Sequence, residues 1–189
     1  LEDIKAPDCF VVERKCRQRM KIPVFHDDQH GTAIVTGAAI LNGLRVIGKD
    51  FSDIKLVSTG GGSAGIACLN LLLSLGVKRE NVWLVDHLGC VYHGRKDEMN
   101  PEKAAYAQKT KARTLDEVIV DADVFLGLSV GGIFKSEMVE KMAARPLILA
   151  LANPVPEIDP HQALLANPKA LIATGRSDYP NQVNNVLCF

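Results

Sequence analysis

Ile54-Lys55-Leu56-Val57-Ser58-Thr59-Gly60-Gly61-Gly62-Ser63-Ala64-Gly65 decides the fold. Residues 54–59 are strand-like and residues 60–65 form a glycine turn. Residues 66–75 predict an apolar helix, which Gly76 ends. The turn satisfies G-x-G-x-x-G. Gly60 permits the tight turn, Gly62 lets backbone approach a pyrophosphate, and Gly65 allows the helix to pack closely on the strand. Gly61, Ser63 and Ala64 complete the predicted cofactor-binding run. The first turn of the helix offers unpaired N–H groups and the positive end of its dipole to an anion. Alone the pattern is weak. Here a strand precedes it, a helix follows it, and Asp86 closes the apolar strand 82–86 at the expected remove.

Asp86 is placed to accept hydrogen bonds from a ribose 2′-hydroxyl, which favours NAD. His87, Arg95 and Lys96 lie near enough in sequence to meet a 2′-phosphate instead, so the residues leave NAD and NADP both open.

Outward from this unit the chain alternates helices and short apolar strands. Residues 6–21 predict a charged amphipathic helix with Pro7 in its first turn, and residues 22–25 a short strand. The polar cluster 26–31 ends that strand, and residues 32–47 predict a helix apolar nearly all round, closed by Gly48-Lys49-Asp50. Beyond the turn, helices are predicted at 101–108, 115–120 and 135–142, and strands at 124–128, 147–151 and 171–174. The fold class is α/β: a Rossmann-type, doubly wound, mostly parallel sheet with helices on both faces.

Equal numbers of basic and acidic residues, 22 of each, leave no electrostatic footprint for nucleic acid or an anionic membrane. The cations from Arg14 to Lys21 are interleaved with apolar residues and read as a solvated helix face. Five cysteines without metal-binding spacing predict buried free thiols in a reducing compartment, hence a cytoplasmic protein. The sequence begins without methionine and stops at Phe189 with no tail, which predicts a piece of a longer polypeptide.

Two adjacent-acid pairs, Glu2-Asp3 and Asp27-Asp28, stand apart from the glycine turn. Gathered in one pocket, such carboxylates suit a hard divalent cation that takes oxygen ligands. Taken singly, each pair is a helix cap or a solvated turn, and an N-cap role competes for Asp27-Asp28. His26 and His30, which flank the second pair, read as ordinary hydrogen-bonding residues.

Four stretches carry a family resemblance. They are Glu2-Asp3-Ile4, Phe25-His26-Asp27-Asp28-Gln29-His30-Gly31-Thr32-Ala33, Ala150-Leu151-Ala152-Asn153-Pro154, and Thr174-Gly175-Arg176-Ser177-Asp178-Tyr179-Pro180-Asn181-Gln182-Val183-Asn184-Asn185-Val186-Leu187. The sequence resembles the bacterial malic enzymes across essentially its whole length. It is most like the proteobacterial NADP-dependent type, some of which carry a phosphate-acetyltransferase-like region downstream. The resemblance implies residues 1–30 as the end of a malate- and metal-binding N-terminal domain, and 31–189 as the NAD(P)-binding domain. It implies Glu2, Asp3 and Asp28 as ligands of a catalytic Mg²⁺ or Mn²⁺, and Asp27 as the acid that helps organise the base. Asn153 and Asn185 match the amides that bind malate; Asn184 is a neighbour. Gly61 to Ala64 fall on the cofactor pyrophosphate site.

The implied reaction oxidises (S)-malate at C2 with hydride transfer to NAD(P)⁺, leaning to NADP, then decarboxylates the bound oxaloacetate to pyruvate. Homo-oligomers are the family habit. There are departures as well. The family's catalytic tyrosine and lysine belong to an N-terminal region that this chain does not include, so the isolated chain is expected to bind dinucleotide with little or no turnover. Val130-Gly131-Gly132 stands where a proline is common, and Leu88 where related sequences place a lysine near the adenosine ribose, which weakens the lean to NADP. Arg176 pairs with Asp178 or binds a substrate carboxylate, the first being favoured. The competing readings are a metal-independent Rossmann dehydrogenase, which has no use for the acid pairs, and a nucleotide-binding module without turnover.

Overall fold

The computed structural model describes residues 1–188. Six strands form one sheet: β1 (Leu56–Thr59), β2 (Val82–Asp86), β3 (Gly89–Cys90), β4 (Val124–Gly127), β5 (Leu147–Ala150) and β6 (Leu171–Thr174), in the order β3-β2-β1-β4-β5-β6. All pairings are parallel except β2 with the two-residue β3. The helices are α1 (Asp8–Arg19), α2 (Asp27–Ile47), α3 (Ser63–Ser74), α4 (Pro101–Ala104), α5 (Leu115–Val118), α6 (Ser136–Glu140) and α7 (Pro160–Ala166).

The central strands β1, β4 and β5 are buried at every position because both faces of the sheet are covered. Leu56, Leu126 and Leu149 point into one cluster with Ile40, Leu69 and Leu72 of α2 and α3. Their neighbours Val57, Phe125 and Ile148 point into the opposite cluster with Val139 and Ala163 of α6 and α7. Phe125 stacks on Phe134 there, with ring centroids 3.9 Å apart. Alternation of side chains along each strand thus feeds two cores, and a continuous apolar run is the outcome.

The strand order reverses at β1. The chain steps outward to β2 and β3, then returns to the other side of β1 as β4, which opens a crevice at the carboxyl ends of β1 and β4.

The structure differs from the sequence reading in several places. Residues 22–25 form no strand. Helix α2 begins at Asp27 rather than 32, so Asp27 and Asp28 lie inside its first turn and neither caps it; His26 holds the N-cap position without a side-chain cap. Acids there complement the positive end of the helix dipole. The predicted helix 101–108 is only α4, capped by the Asn100 side chain, which accepts from the Lys103 N–H. Helix α7 was not predicted, although Asp159 accepts from the His161 and Gln162 N–H groups and Pro160 follows it, both N-terminal signals. Gly48, with φ +75°, ends α2 as expected. All five cysteines are free, and Cys9, Cys68 and Cys90 are buried. Among the described residues no helix is long and apolar enough to cross a membrane.

Candidate functional site

A cleft of about 570 Å³ opens at the carboxyl ends of β1, β2 and β4, lined by Thr59, Gly60, Asp86, Leu88, Thr114 and Ser129 among others. The glycine turn meets the cleft at Gly60. Gly60 has φ +102°, and a Cβ there would collide with the Leu128 carbonyl, so no other residue fits. A Cβ on Gly65 would strike the Gly60 carbonyl oxygen, so the turn folds back on itself at the start of α3. Gly62 has nothing within 4 Å of such a Cβ and leaves open space before the helix. Twelve-residue α3 then presents its first N–H groups at that space. The residues fit a dinucleotide pyrophosphate.

Asp86 does not wait in the cleft as a free acceptor. Its Oδ2 takes hydrogen bonds from Arg95 at 2.6 Å and Lys103 Nζ at 2.9 Å, and its Oδ1 takes one from the Leu88 N–H at 3.0 Å. The Asp86, Arg95 and Lys103 side chains are only 5%, 3% and 11% exposed, so the cluster is largely out of water. Burial alone would push the Asp86 carboxyl up, but the hydrogen bonds from Arg95 and Lys103 outweigh it and hold the group below the ordinary carboxylate range. The stem of Lys103 lies across Gly61, with Cε 2.8 Å from where a Cβ would be. Lys103 therefore joins the acid to the glycine turn. The sequence places Lys103 in a helix but carries no signal that this helix returns to Asp86 across an irregular excursion. His87 pairs with Glu98 at 3.2 Å on the surface, and Lys96 is exposed.

The second cluster lies at the start of α2. Asp27 is 3% exposed, and the Asn185 amide donates to its Oδ2. Among the described residues its Oδ1 is buried with no partner. The Asp3 N–H donates to Asp28 Oδ2 at 2.9 Å. His26 is fully buried; the Gln29 amide and its Nδ1 are 2.9 Å apart, and its Nε2 lies 3.2 Å from Asp28 without the alignment of a hydrogen bond. Gln29 also reaches Glu13 at 3.3 Å, and His30 meets Glu13 at 2.6 Å. Both histidines are thus hydrogen-bonded framework residues. Asp3 is brought beside Asp28, but among the described residues no three His, Cys, Asp or Glu side chains gather to hold a metal ion. The three predicted ligands do not form a cation cage in this chain alone.

Asn153 is exposed in the loop after β5, and Asn185 begins a single turn of 3₁₀ helix that packs on α2. Asn184 donates to the Gly175 carbonyl at 3.4 Å and accepts from the Val186 N–H at 3.0 Å. Arg176 makes a two-pronged pair with Asp178, at 2.8 and 2.6 Å, and donates to the Pro154 carbonyl at 2.7 Å. It makes the expected pair with Asp178 and ties the β6 loop to the β5 loop.

Residues 29–189 match the family described as "Malic enzyme, NAD binding domain". The chain belongs to the malic enzyme family. It is 60% identical over 189 residues to the NAD-dependent malic enzyme of Rhizobium meliloti, and 60% identical over 190 residues to the NADP-dependent malic enzyme of Escherichia coli. Each comparison covers all of this chain but only 24% and 25% of the relative, so the chain spans about a quarter of those malic enzymes. The NAD-dependent malic enzyme of Thermotoga maritima superposes with a TM-score of 0.92 at 44% identity, over 99% of this chain and 50% of that one. Similarity to malic enzymes named for different cofactors is equal, so the choice between NAD and NADP rests on the cleft.

Proposed function

We propose that the full-length protein oxidises (S)-malate and decarboxylates the product to pyruvate and CO₂, with reduction of NAD(P)⁺. Residues 31–189 serve as its dinucleotide domain and residues 1–30 as the end of its malate- and metal-binding domain. The observation that carries the proposal is a dinucleotide-type cleft in the same chain as a buried, half-satisfied carboxylate, Asp27, pinned by an amide, Asn185. A bare nucleotide-binding module has no use for the second feature.

The bound dinucleotide supplies the hydride acceptor. Gly60 to Gly65 and the start of α3 hold its pyrophosphate through backbone N–H groups. Asp86 acts through the cations that it orders. Arg95 and Lys103 lie behind the cleft wall, both engaged by Asp86, and the lean to NADP rests on the one net positive charge that two cations leave against one acid. Asn153 and Asn185 orient malate carboxylates by donating hydrogen bonds without changing charge. Asp27 keeps Oδ1 for a proton-transfer group from the rest of the enzyme, and Asn185 fixes its plane. Glu2, Asp3 and Asp28 are proposed as Mg²⁺ or Mn²⁺ ligands of the whole protein, which is taken to be a cytoplasmic homo-oligomer.

In the full-length protein, malate-dependent NAD(P)H formation should release CO₂ and stop in EDTA. Undiminished turnover in EDTA would overturn the metal-dependent reading. Fluorescence titration of NAD(H) against NADP(H) decides the cofactor, with tighter NADP(H) expected.

A further inference from the structure

Glu157 lies in the loop after β5 and is fully buried, yet among the described residues no cation pairs with it. Its two oxygens are shared between two loops. Oε1 accepts from the Ser129 N–H at 2.9 Å, after β4, and Oε2 accepts from the Ala152 N–H at 3.0 Å, after β5. The carboxylate lies flat on the last residue of β4: a Cβ on Gly127 would sit 2.6 and 2.7 Å from the two oxygens. Burial pushes the Glu157 carboxyl above its ordinary value, and the two backbone N–H groups offset only part of that. A buried acid held this way costs stability that an apolar residue would not.

The two loops it joins are the ones that face the two halves of the site. Ser129 lines the cofactor cleft, and its hydroxyl donates to Thr59 Oγ1 at 3.0 Å, at the end of β1. Ala152 directly precedes Asn153. The Glu157 backbone adds a further tie, its carbonyl accepting from the Phe134 N–H at 3.0 Å.

We propose that Glu157 is a positioning residue that sets the substrate loop against the cofactor cleft, bringing Asn153 and the Ser129 wall of the cleft into register. The proposal rests on the malic enzyme reading for its substrate and on the cleft alone for its cofactor arm. A glutamine at 157 has the same volume but turns an NH₂ group toward one of two N–H donors, so one tie is lost. One loop then moves relative to the other, and small misplacements are felt in binding and rate.

The test uses the full-length enzyme with Glu157→Gln, Glu157→Asp and Asp123→Asn. Asp123 is a comparably buried acid at the opposite end of β4, paired with Lys49 and accepting from the Lys55 N–H at 2.9 Å. Folded Glu157→Gln should raise the malate KM and the dinucleotide Kd together by about tenfold, with kcat falling by less than about threefold. Glu157→Asp keeps the charge and reaches only one loop. It should shift both constants about threefold, and it carries the test should the glutamine variant fail to fold. Asp123→Asn should lower the melting midpoint and leave KM and Kd within about twofold. Glu157 variants that melt lower but keep KM and Kd would overturn the proposal, as would an Asp123→Asn that shifts them equally. If the parent enzyme does not oxidise malate, the reaction reading fails, and the dinucleotide Kd alone decides the role of Glu157.

Discussion

In the cleft Asp86 is held by Arg95, Lys103 and the Leu88 N–H, whereas at the start of α2 one oxygen of Asp27 and one nitrogen of His26 are buried with no hydrogen-bond partner among the described residues. Both regions contain a nearly buried carboxylate, and they treat it in opposite ways. The first closes its electrostatics within about twenty residues of sequence, so this chain alone builds it. The second draws Asn185 from far along the chain and still leaves an acceptor unfilled. Buried polar groups in native proteins are satisfied with few exceptions, and among the described residues Thr36 Oγ1 and Ser58 Oγ join Asp27 and His26 as such exceptions. The first cluster is closed by residues of this chain, and the second is not.

The comparison breaks most sharply at Asp27. In the full-length enzyme Asp27→Asn should lower kcat by about a thousandfold, the scale of a lost proton-transfer arrangement, while the dinucleotide Kd stays within about twofold. A parallel loss of dinucleotide binding would mean that the two regions are one unit. Next comes Asp86→Asn, which leaves Arg95 and Lys103 facing a neutral amide in a largely buried site and should cost about 3 kcal/mol at pH 7, read by denaturant unfolding. The folded carboxyl lies below its unfolded value, so its contribution is fully present above about pH 4 and is lost as pH falls through the depressed folded value. The gap between parent and variant should therefore close in acid. A gap that widens instead would show the pairing to be wrong. The smallest effect is expected at Thr114, which lines the cleft and caps α5 reciprocally with Glu117. Thr114→Ala should lower stability by about 1 kcal/mol, with little change in dinucleotide affinity.

Sequence made the centre of the sheet readable for a physical reason. β2, β4 and β5 are short, largely apolar bursts because both faces of the sheet are covered, and glycine punctuates the tight turn after β1. The margins were harder. Ile22 to Phe25 have strand-like composition but no neighbouring strand, and Ile22 is 62% exposed. His26 to Gly31 look like a polar turn, yet His26, Asp27 and Gln29 are buried and make their bonds inside the protein. Polarity reports a surface only where partners are lacking. In the site, Asp86 was legible from its spacing, but its occupancy by Lys103 was not, because that contact depends on where an irregular excursion returns. Glu157 gave no signal at all: it sits among prolines and apolar residues with nothing periodic about it.

Gly127 ends β4 with no unusual backbone angle, and no turn requires it there. It is glycine because a carboxylate from a later loop lies where its side chain would be. The identity of one residue is thereby a record of the other. Among relatives of this chain the two positions should change together: wherever alanine or serine replaces the glycine, the glutamate should be gone, and natural variation would then report the brace without any enzyme being assayed.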